Sequence, residues 1–115
     1  MRAYLGLKRM AEEALLESLW ERVNGARLRG VLKVVPQFRV NPMEGALAYF
    51  HPDFPSKGRC LIEFGEASLK FSPGRLLDLM VHEAIHQLQW ERDLPMGHNE
   101  SFAAFADGAG LVEKY

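Results

Sequence analysis

The chain has 115 residues, 48% of them apolar, and a net charge of −1 at pH 7, enough for one modest core and too little for a second domain of ordinary size. A lone cysteine, Cys60, excludes an internal disulfide, and no stretch has the length of a membrane span or the apolar core of a signal peptide, so a cytoplasmic protein without a membrane partner is expected. Charge is uneven, with eight Lys/Arg against four Asp/Glu in residues 1 to 40 and six against eleven thereafter, but the overall balance lies outside the strongly basic class of polyanion binders.

Apolar groups at Leu7, Met10, Ala14, Leu15, Leu19 and Val23 predict an amphipathic helix over residues 3 to 23, ending near Asn24-Gly25. Leu28, Leu32, Val34, Val35, Phe38 and Val40, interrupted by Pro36, predict a strand, a bend and a second extended piece. Arg22, Arg27, Arg29, Lys33 and Arg39 fall in this region and could meet phosphates of DNA if they shared one surface; solvated charge is the commoner arrangement. An extended segment from Leu47 to Phe50 should end at His51-Pro52, followed by a surface loop from Asp53 to Gly58 and a strand from Arg59 to Phe64. After an irregular stretch to Phe71, Ser72-Pro73 starts a helix, because Ser accepts an orphan amide bond and Pro lacks an amide that would go unpaired. That helix should run to about Trp90 with Leu76, Leu77, Met80, Val81, Ala84, Ile85 and Leu88 buried. Pro95 and Gly97 break the chain, and a shorter helix over 99 to 107 turns Phe102, Phe105 and Ala106 inward.

The long helix carries HEAIH, residues 82 to 86. Side chains four apart share a helix face, so His82 and His86 can direct nitrogens at one ion, while Glu83, about 100° round the helix, can approach water without ligating the ion. Zinc catalysis usually takes three protein ligands. His98, beyond the turn that Gly97 loosens, is the preferred third; Glu100, in the first turn of the next helix, is the rival, and His51 a remoter one. Zn²⁺ held there would acidify water and polarise a carbonyl, with Glu83 moving the proton. Tyr49, Arg59 and Tyr115 are conceivable donors to an oxyanion, Asp78, Asp93 and Asp107 conceivable orienting groups for the imidazoles, and Trp90 a conceivable wall of the site. Cys60, flanked by apolar residues, reads as a buried small residue before a ligand. An extended substrate could be held along an edge strand, for which Arg59 to Phe64 is the first candidate, an internal position being the alternative.

Together GRCLIEF, LLDLMVHEAIHQLQW and GHNESF resemble the SprT-like zinc metallopeptidases, including the Spartan-type proteases, which show a strand with a Gly-x-Cys-like approach, an HExxH helix and a later HGxxF-like segment. The resemblance covers roughly residues 58 to 105. It implies an α+β, minimal zincin-like metallopeptidase: an N-terminal helix, a small mainly antiparallel sheet, the HExxH helix and a short C-terminal helix, in one catalytic domain over 1 to 115. It also implies His82, His86 and His98 as metal ligands, Glu83 as catalytic acid and base, Phe102 as packing behind the third ligand, and a protein or peptide substrate. Asn99 stands where Gly is usual, and the Cys-rich zinc ribbon of larger members has no counterpart, so peptide hydrolysis carries over more readily than action on DNA-attached proteins. A compact form of this kind suits a bacterial or bacteriophage protein. NESFAAFAD is also similar to the Glu-bearing second helix of gluzincins and of ImmA/IrrE-like peptidases, which keeps Glu100 open as a ligand. A noncatalytic zinc-stabilised interaction module is the third possibility.

Overall fold

A computed structural model of the protein describes residues 2 to 111, with side chains from residue 6 onward. Tyr115 lies outside the described residues. The first element, α1 (Arg2–Arg27), is longer than its apolar spacing predicts. Its inward stripe is Leu16, Trp20 and Val23, whereas Leu7, Met10 and Leu15 are 66%, 65% and 57% exposed. Val23 and Leu19 of the expected face do meet the core, but Ala14 and Leu15 are exposed and Leu16 and Trp20 take the inward places beside them. The correction has a physical cause: Trp20 offers the larger apolar area, and its indole Nε1 donates to Gln87 Oε1 at 2.8 Å inside the core.

The helix stops where Arg29 and Gly30 adopt left-handed conformations, with φ of 57° and 73°. The strand expected around residues 28 to 35 does not form. Leu28 and Leu32 are buried, but side chains take up the backbone groups that a ladder would use. Asn24 Oδ1 accepts from Leu32 N at 3.0 Å, and the Glu91 carboxylate accepts from Lys33 N at 2.8 Å and Val34 N at 3.1 Å. Pro36 has no amide to donate. Pairing begins after it, with β1 (Gln37–Asn41).

The strands β2 (Ala48–Pro52) and β3 (Cys60–Gly65) complete a three-stranded sheet in the order β1-β3-β2. It is mixed: β2 is antiparallel to β3, and β1 is parallel to it. The central place of β3 corrects the candidate edge strand at Arg59 to Phe64, which is hydrogen-bonded on both sides. Apolar content explains why, since Cys60, Leu61, Ile62 and Phe64 are all buried, as a strand covered on both faces requires. Among the described residues the open edges belong to β1 and β2.

A 3-10 turn at Glu66–Lys70 leads to α2 (Pro73–Glu91), where Ser72 Oγ accepts from Arg75 N at 3.4 Å, as the capping argument predicts. Twelve residues of α2 are buried, because the helix lies between α1, the sheet and the last helix. That helix, α3 (Glu100–Ala109), starts on Asn99, whose Oδ1 accepts from Phe102 N, and ends on Gly110 with φ of 72°. The Arg27 guanidinium donates to Ala109 O at 3.0 Å and Gly110 O at 3.3 Å, satisfying carbonyls at the end of α3. One of the five basic residues considered for phosphate contact is thus engaged in closing the fold, and a second, Arg39, lies 5.2 Å from the centre of the Phe54 ring. No helix among the described residues is long and apolar enough to cross a membrane.

The thiol of Cys60 is fully enclosed, and burial pushes it up to about 12. Native Cys60 should therefore alkylate with iodoacetamide at least about a hundredfold more slowly than in urea, since the thiolate is the reacting species. Rates within tenfold of each other would contradict the enclosure.

Candidate metal centre

One turn of α2 puts the rings of His82 and His86 4.9 Å apart, and the chain after α2 doubles back through Gly97, at φ of 113°, to bring His98 onto them. The His98 ring is centred 4.9 Å from His82 and 5.1 Å from His86. Phe102, buried in the first turns of α3, packs against all three imidazoles with centroid separations of 4.9, 5.0 and 4.8 Å. One nitrogen from each histidine lies within 4.8 Å of the others. His82 Nε2 and His98 Nε2 are 3.2 Å apart, close to the roughly 3.4 Å that separates two nitrogens on a tetrahedral zinc with bonds of about 2.1 Å. This cluster can hold a metal ion.

The chain matches no protein-family model, no curated protein and no solved structure. The geometry therefore carries the assignment of a zincin-like metal site. Glu100 is exposed at the start of α3 and is not part of the converging group, while His51 is on β2 with Nε2 3.1 Å from Glu63 Oε1. Glu100→Gln should leave zinc affinity within about twofold, the effect of an ordinary surface substitution. A tenfold loss in a chelator competition would bring that carboxylate into the site.

Burial gives the cluster its electrostatic character. It pushes His82 down to about 3, helped by the neighbouring His86 and His98, and it lowers His86 against a hydrogen bond to Gln89 Oε1 that works the other way. Both rings are thereby held neutral, the form that ligates a metal. Glu83 is only 4% exposed, and burial pushes its carboxyl up to about 8. Its Oε2 stands 3.9 Å from His82 Nε2, beside the imidazoles rather than among them.

These groups open into a cleft of about 490 Å³. One wall is Ala46 with Ala48, Tyr49 and Phe50 of β2; the other is Met96, Gly97 and His98. Of the described oxyanion candidates only Tyr49 borders this cleft, with its ring 5.0 Å from that of His51; Arg59 is exposed beyond it, before β3. Trp90 stands behind the wall, 5.9 Å from Phe50, and supports it from the core side. Asp78 is buried one turn before His82, whereas Asp93 is an exposed turn residue with φ of 54° and Asp107 is exposed near the end of α3.

Two buried glutamines of α2, one in the core and one behind the site, are not anticipated by helical spacing. Gln87 and Gln89 are fully enclosed on α2. Gln87 accepts from Trp20 and donates to Val34 O at 2.6 Å and Glu91 Oε2 at 2.8 Å, joining α1, the segment before β1 and α2. Gln89 Oε1 lies 2.9 Å from His86 Nδ1, and Gln89 Nε2 reaches Gly97 O at 2.9 Å, Asn99 Oδ1 at 3.1 Å and Ser101 Oγ at 3.0 Å. The one signal available in the sequence is that Gln87 and Gln89 flank the buried Leu88 next to the histidine pair.

Proposed function

We propose that the chain is a zinc-dependent endopeptidase, a compact single catalytic domain of SprT-like kind that acts on extended protein or peptide segments. The convergence of His82, His86 and His98 around a cleft that also holds the buried Glu83 carries this reading. His82, His86 and His98 would hold the zinc. Bound there, zinc would act as a Lewis acid on the scissile carbonyl and make water acidic enough to attack near neutral pH.

The chain's own residues supply the remaining chemistry. Glu83 takes a proton from the attacking water and passes it to the leaving nitrogen, which requires the carboxylate form at the start. A nearby cation favours that form, opposing the burial that otherwise keeps the proton on. Phe102, beneath the imidazoles, keeps their inner side dry and their spacing tight. Substrate binding falls to β2. This strand borders the cleft and pairs with β3 on one side only, so its other side can hydrogen-bond an extended peptide through main-chain groups. Ala46 and Ala48 leave room beside it, and Phe50 and Met96 offer apolar contact, so broad acceptance of sequence follows. The lone enclosed thiol suits a cytoplasmic setting.

The direct test is cleavage of a disordered protein such as casein by the zinc-loaded chain, with fragments mapped by mass spectrometry. Cleavage that stops on chelation and is restored by zinc is the expected result. Cleavage no greater than that of the Glu83→Gln protein would reject the peptidase reading.

A further inference from the structure

The hydrogen bonds around Gln89 have a direction that the backbone dictates. A peptide carbonyl can only accept, so the Gln89 group facing Gly97 O at 2.9 Å must be the amide nitrogen. The neighbouring Asn99 is oriented in the same way: its Nδ2 donates to Pro95 O at 2.8 Å, and its Oδ1 accepts from Phe102 N at 3.2 Å. Asn99 Oδ1 therefore also demands a donor from Gln89, and Gln89 Nε2 shares its two hydrogens among three oxygens. With the nitrogen so placed, Gln89 Oε1 must face His86 Nδ1, 2.9 Å away. An amide oxygen can only accept, so His86 Nδ1 carries the hydrogen and Nε2 is left with its lone pair.

We propose that Gln89 is the positioning residue of the metal site, setting the tautomer of His86 and the seat of the His98 loop through one side-chain amide. The proposal rests on the metal-binding reading of the three histidines and is independent of peptidase activity. Gln89 is neither one of the three converging ligand groups nor part of the cleft lining. One of its ends selects which nitrogen of His86 is available, and the other ties α2 to the 97–101 segment that delivers His98 and starts α3. Because the side chain is fully enclosed, water cannot replace either set of bonds when it is removed. A metal-ligating imidazole whose other nitrogen loses its partner typically gives up about 10- to 100-fold in affinity.

Long-range ¹H–¹⁵N spectra of the metal-free protein, labelled at histidine and recorded where the rings are neutral, read the tautomer directly. His86 is expected with hydrogen on Nδ1 and none on Nε2; hydrogen on Nε2 overturns the proposal. Gln89→Leu should release His86 to the opposite tautomer and weaken zinc about 10- to 100-fold in competition with a chromophoric chelator. An affinity within about threefold of the parent, for a folded Gln89→Leu protein, also overturns it. Gln89→Glu separates the two ends, because a carboxylate still accepts from Nδ1–H but confronts Gly97 O with another oxygen. It should keep the His86 tautomer and still lose zinc affinity; loss of the tautomer in this variant counts against the proposal even if the leucine variant does not fold. Should zinc bind and the tautomer be as stated while no peptide is cleaved, the peptidase reading fails and the role of Gln89 stands. If the parent cleaves casein and Gln89→Leu matches it in tautomer and affinity, the reverse holds.

Discussion

Glu83→Gln should lower peptide hydrolysis by about two to four orders of magnitude, the range expected when a positioned proton-transfer group is lost, while zinc affinity stays close to that of the parent. Glutamine fills the same space, yet it cannot take a proton from water. Retention of more than a tenth of the activity would remove Glu83 from the chemistry. The same substitution should remove a pH effect in the metal-free protein. Burial raises the carboxyl from 4.5 to about 8, so the folded state keeps a proton that the unfolded chain has already released. Stability on this account is fully present below pH 4.5 and is lost as pH rises toward 8. His82 acts at the other end, since lowering from 6.5 to about 3 makes stability fall as pH drops below 6.5. Metal-free protein should therefore be most stable between 4.5 and 6.5, the two unshifted values. Its Tm should drop between about pH 6 and pH 8, and Glu83→Gln should abolish most of that drop.

His98→Ala should cost zinc affinity on the order of 10²- to 10³-fold. Structural zinc sites bind with about 10–16 kcal/mol over four ligands, or roughly 2.5–4 kcal/mol each, which is the loss expected for one imidazole. His98 is exposed on a loop rather than packed in the core, so the variant should fold and the loss should appear in a metal competition rather than in secondary structure. A His98→Ala protein that held zinc within about threefold of the parent would show that two histidines and some other group make the site. The contrast with Glu100→Gln in the same titration separates the two candidate ligands.

What could be read in advance was what local geometry governs. Helical spacing put His82 over His86, Ser72-Pro73 marked the start of α2, and Gly97 signalled the turn that brings back His98. Elements whose placement depends on distant partners were less legible. The inward face of α1 turns on Trp20 meeting Gln87, 67 positions away, a pairing that no periodicity contains. Residues 28 to 36 have the composition of a strand, but Asn24 and Glu91 take their amides first. The order of the strands hinges on how β3 is covered on both faces, and its two neighbours precede it in sequence. Gln89 was hidden for a different reason: glutamine on a helix is ordinarily solvent-facing, and only its enclosure reveals what its amide does.

The open edge of β2 has a further consequence, for how the protein behaves in its own company. Main-chain groups able to receive an extended segment from a substrate are equally able to receive one from another copy of the chain, since neither pairing depends on side chains. The strand limits this hazard by being five residues long and by ending at Pro52, which cannot donate to a ladder. A five-residue edge offers few main-chain bonds to any added segment, so each such pairing would be weak and reversible, and a continuous stack of copies would be disfavoured.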